Sequence, residues 1–378
     1  MKVKIVKEKP DVKAASNHTL GQAKSAKQDE FYTQLDDIEK ELKNYKPQLR
    51  GKTVFCNCDD PFESNFFKYF ALNFNILGLK KLIATSYSKS PITGKQLPLL
   101  DIEGLKPEGK DPYAVIISEV PDHRNRGATD ITDVEYLLKR KANVAHTLVG
   151  DENYAAGDFR SSECVALLKE ADVVITNPPF SLFRQFVSQL VEHKKKYLII
   201  GNVNAITYKE IFDLIQKDEL WLGKSIHSGD REFRVPDHYP LEAAGTRVDQ
   251  DGRKYIRVKG VRWFTNMDFE SRHEDIPLYK IYSAKEYPKY YNYDAIDVSK
   301  TAEIPCDYDG PMGVPITFLD KYNPTQFEIL GSSRTLGTPM SQLAEKGSYS
   351  PGGPRFYLPE AKGKFRRMYD RLVIKRRT

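Results

Sequence analysis

The sequence predicts an α/β protein in which a doubly wound, mostly parallel sheet is followed by a β-rich, loop-rich C-terminal region. Two observations point there. Through about residue 220, short unbroken apolar runs alternate with stretches of helical periodicity, as in strand–helix–strand units whose strands are covered on both faces. Beyond residue 230 the apolar runs shorten and are separated by charged and proline-containing loops, the texture of antiparallel β-structure.

Taken in order, residues 1–27 are lysine-rich and aperiodic, which predicts a flexible basic arm. "FYTQLDDIEKELKNY" carries Leu35, Ile38 and Leu42 on one helical face. "KTVFCNC" is a buried-type strand, "ESNFFKYFALNFNIL" an amphipathic helix and "KKLIATSY" a second strand. Residues 88–150 are expected to be an excursion, Pro-, Gly- and Lys-rich up to residue 112, then with a strand at "YAVIISEV" and a helix at "ITDVEYLLKRK". A short helix at "ECVALLKE", the strand "DVVIT", the helix "FSLFRQFVSQLVEH", the strand "KKYLIIGN" and the helix "YKEIFDLIQKDEL" follow. The expected organisation is therefore an arm (1–27), an α/β domain (28–229, with the excursion 88–150), and a region (230–378) that partly completes the sheet and partly forms a lobe.

Composition excludes several classes. The 378 residues are 40% hydrophobic and 29% charged, as in ordinary globular proteins. No apolar run is long enough to span a bilayer, and the N-terminus lacks the apolar core of a signal peptide, so a cytoplasmic protein without a membrane partner is expected. The four cysteines include no CxxC pair and the seven histidines no HxxxH spacing; no metal is expected. The net charge of +6 suits a protein that meets phosphates, without requiring it. The basic tail "KFRRMYDRLVIKRRT", with Arg366 and Arg367, and the loop "PDHRNRGATD", with Arg124 and Arg126, are candidate contacts to phosphates or to guanine edges.

The most informative stretch is "ADVVITNPPFSLF". In doubly wound sheets, sites form at the carboxyl ends of strands, and "DVVIT" delivers Asn177 there. The Asn177 amide offers an acceptor oxygen. Pro178 lacks an N–H, so its stiffened backbone presents only a carbonyl. Pro179 prolongs the rigid corner and Phe180 supplies a flat apolar face. Two acceptors and a ring suit a planar heterocycle bearing an exocyclic amine. Accepting both N–H bonds returns electron density to a nitrogen whose lone pair is otherwise delocalised, and the remainder is positioning in line with a transferable methyl.

Asn-Pro-Pro-Phe in this setting resembles the catalytic motif of S-adenosylmethionine-dependent amino-methyltransferases, which implies a Rossmann-like methyltransferase fold. "GDF", with Asp158 and Phe159, resembles the part of that family that reads the cofactor adenine; "FYT" (Phe31, Tyr32, Thr33) resembles the N-terminal cofactor motif of adenine methyltransferases. "DEFYTQLDDIEKEL", "CNCDDPFESNFFKYFALNF", "ITNPPFSLFRQF" and "VRWFTN" together are similar to the EcoRI-type adenine-specific DNA methyltransferases. The resemblance implies S-adenosyl-L-methionine as cofactor, N6-methylation of an adenine flipped out of double-stranded DNA, a DNA-recognition role for the C-terminal region, a restriction endonuclease as functional counterpart, and a monomer as the expected state. The glycine-rich cofactor turn usual after the first strand is replaced by "CNCDDPFESN"; Cys58, Asp59, Asp60 and Pro61 then stand where the methionine moiety would lie, although carboxylates there also suit helix capping. Two other readings stay open: an amino-methyltransferase acting on RNA or on a protein glutamine, and a non-catalytic nucleic-acid-binding protein on the same fold.

Overall fold

The computed structural model of the chain describes residues 33–61, 64–87, 112–124, 129–140, 145–227, 230–235 and 245–377. The apolar runs become strands: β1 (Thr53–Cys56), β2 (Lys81–Thr85), β3 (Tyr113–Ile117), β4 (Ala145–Thr147), β5 (Val173–Thr176), β6 (Lys196–Asn202), β7 (Trp221–Leu222), β8 (Asp230–Val235), β9 (Thr246–Val248), β10 (Lys254–Lys259), β11 (Val261–Thr265), β12 (Ile296–Asp297), β13 (Met312–Pro315), β14 (Phe327–Ser332), β15 (Tyr357–Pro359), β16 (Phe365–Arg367) and β17 (Arg371–Arg376). The helices are α1 (Leu35–Leu42), α2 (Lys46–Leu49), α3 (Asn65–Leu72), α4 (Phe74–Leu77), α5 (Ile131–Arg140), α6 (Ser162–Glu170), α7 (Phe183–Glu192) and α8 (Lys209–Gln216).

One eight-stranded sheet, in the order β4-β3-β2-β1-β5-β6-β11-β7, organises the chain. Its centre is parallel, β2 with β1, β1 with β5, and β5 with β6, as the strand–helix–strand units β1–α3–β2 and β5–α7–β6 require. Both edges are antiparallel: β3 pairs β2 and β4, and β11 runs between β6 and β7. The sheet is thus mixed where the sequence predicts a mostly parallel one. A fully buried strand shows the same apolar run whichever way it points, so only its connections decide direction.

The period of two along each central strand divides the core into two layers. Val54, Leu82, Val173 and Leu198 face a cluster with Ile38 and Leu42 of α1 and Phe66 and Phe70 of α3. Phe55, Ile83, Val174 and Ile199 face another with Leu168 of α6, Phe186 of α7 and Ile211 of α8. Helices therefore cover both faces and leave the strand ends open.

The C-terminal region is β-rich, with sheets β8-β10-β9, β12-β13-β17-β14 and β15-β16, while β11 completes the central sheet. A buried ion pair between Arg262 of β11 and Asp320 (2.8 Å) joins the lobe to the domain. The tyrosine-rich stretch packs inward: Tyr287 and Tyr290 are buried, and Tyr290 and Tyr293 lie against Phe356. Among the described residues no helix is long and apolar enough to cross a membrane.

One polar group sits where periodicity alone predicts apolar contact. Glu41 of α1 is fully buried and accepts hydrogen bonds from Tyr45 Oη (2.8 Å), Lys224 N (2.8 Å) and Ser225 N (2.6 Å). Glu41→Ala strands two backbone N–H groups and should lower unfolding stability by about 2–4 kcal/mol, measured by chemical denaturation.

Candidate active site

Four loops converge where β1, β2 and β5 end. The first leaves β1 through Asn57 and Cys58. Cys58 adopts φ +77°, the left-handed conformation in which a side chain costs about 1–2 kcal/mol. Cys58 thus makes the turn for which glycine would ordinarily be used, and that is how this chain dispenses with a glycine-rich loop. The turn drops Asp59 (8% exposed) into the interior, with Asp60 and a buried Pro61 following it.

Asp59 is the hub. Its Oδ1 accepts from Ser64 Oγ (2.8 Å), and its Oδ2 accepts from Asn177 N (3.4 Å) and shares the single Thr176 hydroxyl hydrogen with the Asn57 carbonyl. Burial raises its pKa to about 7, against the lowering effect of these bonds, and the neighbouring Asp60 carboxylate adds to the rise. Asp60 accepts from Tyr113 Oη of β3 at 2.8 Å. Neither acid caps α3: Ser64 does, accepting from Phe66 N at 3.0 Å. This removes the bland explanation for the acidic pair.

Asn57 is a residue that the motif reading missed. Fully buried, it accepts from Thr85 Oγ1 (3.1 Å) through its side chain and from the Thr176 hydroxyl through its carbonyl, tying together the ends of β1, β2 and β5. Its Nδ2 is buried without a hydrogen-bond partner among the described residues. The available signal was an amide placed directly after a fully apolar strand.

At the end of β5, Asn177 (7% exposed) and Pro178 are buried, whereas Pro179 and Phe180 are partly exposed. The Pro179 carbonyl accepts from Leu182 N (3.0 Å) and starts the short 3₁₀ turn Phe180–Leu182 that feeds α7. Phe183 and Phe186 belong to the core, Phe183 against Phe264 and Phe186 against Phe159.

The loop carrying Asp158 and Phe159 lies over the end of β2. Gly157 has φ +74°, and a Cβ there would stand 1.9 Å from the Ser86 carbonyl oxygen, so only glycine permits this approach. The Asp158 carboxylate is engaged by Arg160, with Nε at 2.9 Å and Nη2 at 2.8 Å. Phe159 is buried. Thr33 sits at the start of α3, where its carbonyl accepts from Asn65 Nδ2 (2.7 Å) and its buried Oγ1 has no hydrogen-bond partner among the described residues. Phe31 and Tyr32 lie outside the described residues, as does Arg126.

The expected DNA contacts are dispersed. Arg124 is exposed and pairs with Asp130 (3.1 Å). Arg366 is exposed and pairs with Glu360 (3.3 Å), while Arg367, next in the chain, turns inward beneath Gly352. Among the described residues no group of three or more His, Cys, Asp or Glu side chains could hold a metal ion.

The site therefore combines a buried and a partly buried carboxylate, orphaned polar atoms at Asn57 and Thr33, and a rigid acceptor corner. Paired acids attract a cation, and the orphaned donors await an oxygen or nitrogen acceptor. These features fit S-adenosylmethionine, whose ammonium and sulfonium are cationic.

Comparison with known proteins agrees. The family model of the adenine-specific methyltransferase EcoRI matches residues 19–377. The Type II methyltransferase M.EcoRI of Escherichia coli is 46% identical over 319 residues, 84% of this chain and 89% of its own. Type II methyltransferase M.MpnI of Mycoplasma pneumoniae is 35% identical over 368 residues, 95% of this chain and 98% of the relative. M.MgeORF184P of Mycoplasma genitalium is 36% identical over 317 residues, 83% and 86% respectively. No solved structure matches the chain significantly. A match that spans both the acceptor corner and the C-terminal lobe leaves one conclusion: the chain belongs to the EcoRI family of adenine-specific methyltransferases.

Proposed function

We propose that this adenine-specific DNA methyltransferase transfers a methyl group from S-adenosyl-L-methionine to N6 of an adenine that is flipped out of double-stranded DNA into the Asn177–Phe180 corner. The observation that carries the reading is the Asp59 network. One buried carboxylate binds both the backbone of Asn177 and the loop after β1, so the acceptor corner and the acidic, cation-attracting loop form one rigid unit.

The cofactor supplies an electrophilic methyl on a sulfonium. The chain's own residues do the rest. Asp59 and Asp60 provide negative charge for the ammonium end, and Gly157 admits the 155–159 loop close to the β2 end to wall the adenosine side. The Asn177 side-chain oxygen and the Pro178 carbonyl accept the two N6 hydrogens, and Phe180 stacks on the extruded ring. Flipping is a physical necessity, because N6 cannot be approached in line within the base stack. The region from 230 onward is proposed to recognise the target, with Arg124, Arg126, Arg366 and Arg367 as candidate contacts. The relatives' names as Type II methyltransferases support a cognate restriction endonuclease as functional counterpart.

The test is methyl incorporation from labelled S-adenosylmethionine into duplex DNA, with structured RNA in parallel, followed by digestion to nucleosides. Label should appear in N6-methyladenine from DNA. Label in a cytosine derivative, or only in RNA, would overturn the proposal.

A further inference from the structure

On the C-terminal lobe, residues 334–341 and 349–357 line a cleft of about 430 Å³. Asp370 lies between two of its arginines. Arg334 grips the carboxylate with two nitrogens (Nε 2.9 Å, Nη2 3.1 Å), and Arg355, only 15% exposed, adds a third bond at 3.1 Å. A third guanidinium, Arg367, lies against Gly352: a Cβ on that glycine, which has φ +144°, would stand 2.9 Å from the Arg367 Cζ. Arg367 Nε is buried without a hydrogen-bond partner among the described residues. Burial depresses the Arg355 pKa, and Arg334 and Arg367 press it further down against Asp370. These four charges therefore form one electrostatic group, three positive and one negative.

A further arginine follows the catalytic corner in the chain. Arg184, in the first turn of α7 after Phe180, lies over the Tyr208 ring (5.1 Å) while approaching Glu210 (3.9 Å). Tyr208 is in turn near enough to Arg334 to help Asp370, the main cause, raise its pKa.

We propose that the cleft lined by Arg334 and Arg355, with Arg367 behind Gly352, binds a backbone phosphodiester of the DNA duplex whose adenine occupies the corner. The proposal rests on the DNA reading above. Arginine forks match the paired oxygens of a phosphate. Asp370 competes for the Arg334 and Arg355 donors but neutralises only one charge of three, so the cluster is electrostatically unsatisfied. Gly352 is the position where a side chain would collide with the Arg367 guanidinium, whose Nη2 lies 3.5 Å from the Gly353 carbonyl. The bland alternative, a structural knot that merely joins strands, predicts that Asp370 and the arginines contribute alike.

The test is equilibrium binding of two short fluorescein-labelled duplexes of unrelated sequence across a salt series, with thermal melting as a folding control. R355Q and R334Q should each weaken both duplexes roughly tenfold near 0.1 M salt and lower the slope of log K against log salt by about 1. D370N, which removes the competing anion, should tighten binding to both. Unchanged affinity in the folded arginine variants would overturn the assignment, as would weakening of only one duplex, which signals base reading. D370N weakening binding as R355Q does would reduce the cluster to a structural knot, and this arm stands if the arginine variants fail to fold. Absence of duplex binding by the unmutated chain would instead sink the parent reading.

Discussion

Asn177→Ala is expected to lower the rate of methyl transfer to duplex DNA by at least about a hundredfold, the range found when one pre-organised polar group is removed from a reacting centre. The side chain is the polar group at the end of β5, on a corner immobilised by Pro178 and Pro179. It is held from behind, since its backbone N–H is bound to Asp59, so alanine retains that bond and the strand end should keep its place. Loss therefore falls on the chemical step. S-adenosylmethionine affinity measured by calorimetry should change little, and the melting temperature should stay near that of the unmutated chain. Phe180→Ala is the informative contrast. Phe180 is partly buried at the start of the 3₁₀ turn, and its removal should weaken capture of the extruded base while sparing the cofactor. Normal single-turnover rates for Asn177→Ala would remove the central mechanistic claim.

The second large effect is expected at Asp59. Its carboxyl is buried and titrates at about 7 in the folded chain, against an ordinary value of 3.8. The folded state therefore holds a proton that the unfolded chain has released. This contribution to stability is full below about pH 4 and is lost as pH rises toward 7 and beyond. Without cofactor, the chain should melt at a lower temperature at pH 8 than at pH 6, and Asp59→Asn, which cannot ionise, should reduce that difference. A cationic cofactor reverses the preference by stabilising the ionised form. Affinity for S-adenosylmethionine should accordingly rise with pH through about 7, with proton release on binding. Asp59→Asn should cost roughly tenfold to a hundredfold in affinity at pH 8, the worth of a charge-assisted hydrogen bond. Calorimetry in buffers of different ionisation enthalpy measures both quantities. An affinity independent of pH between 6 and 8 would show that Asp59 acts only as the clamp between Ser64, Thr176 and Asn177.

Much of the fold was legible because burial leaves a local signature. The strands at 53–56, 81–85, 173–176 and 196–202 each hold an unbroken apolar stretch and became the parallel centre of the sheet. The helices around them showed their spacing, with Leu35, Ile38 and Leu42 on one face of α1. Glu41 on that same face was invisible, because its partners Lys224 and Ser225 lie far away in the chain. The directions of β3 and β11 were equally hidden, since a strand buried on both faces looks alike from either end. Of the tyrosines in residues 282–293, Tyr287 and Tyr290 packed into the lobe while Tyr291 stayed exposed.

At the site, the motif residues and their chemistry were readable, but their relations were not. Sequence alone determined that an amide, a Pro-Pro corner and an aromatic ring follow one another at Asn177–Phe180, because those properties belong to the residues and their order. It also placed an acidic pair after the first strand. Only the tertiary structure decided that Asp59 reaches across to Thr176 and Asn177, that Cys58 makes the turn a glycine would have made, that Arg160 occupies Asp158, and that Arg334, Arg355 and Arg367 gather around Asp370. Each of these depends on contacts between residues distant in the chain. A hydrogen bond acts over about 3 Å, and which groups come that close is settled by the packing of the whole sheet.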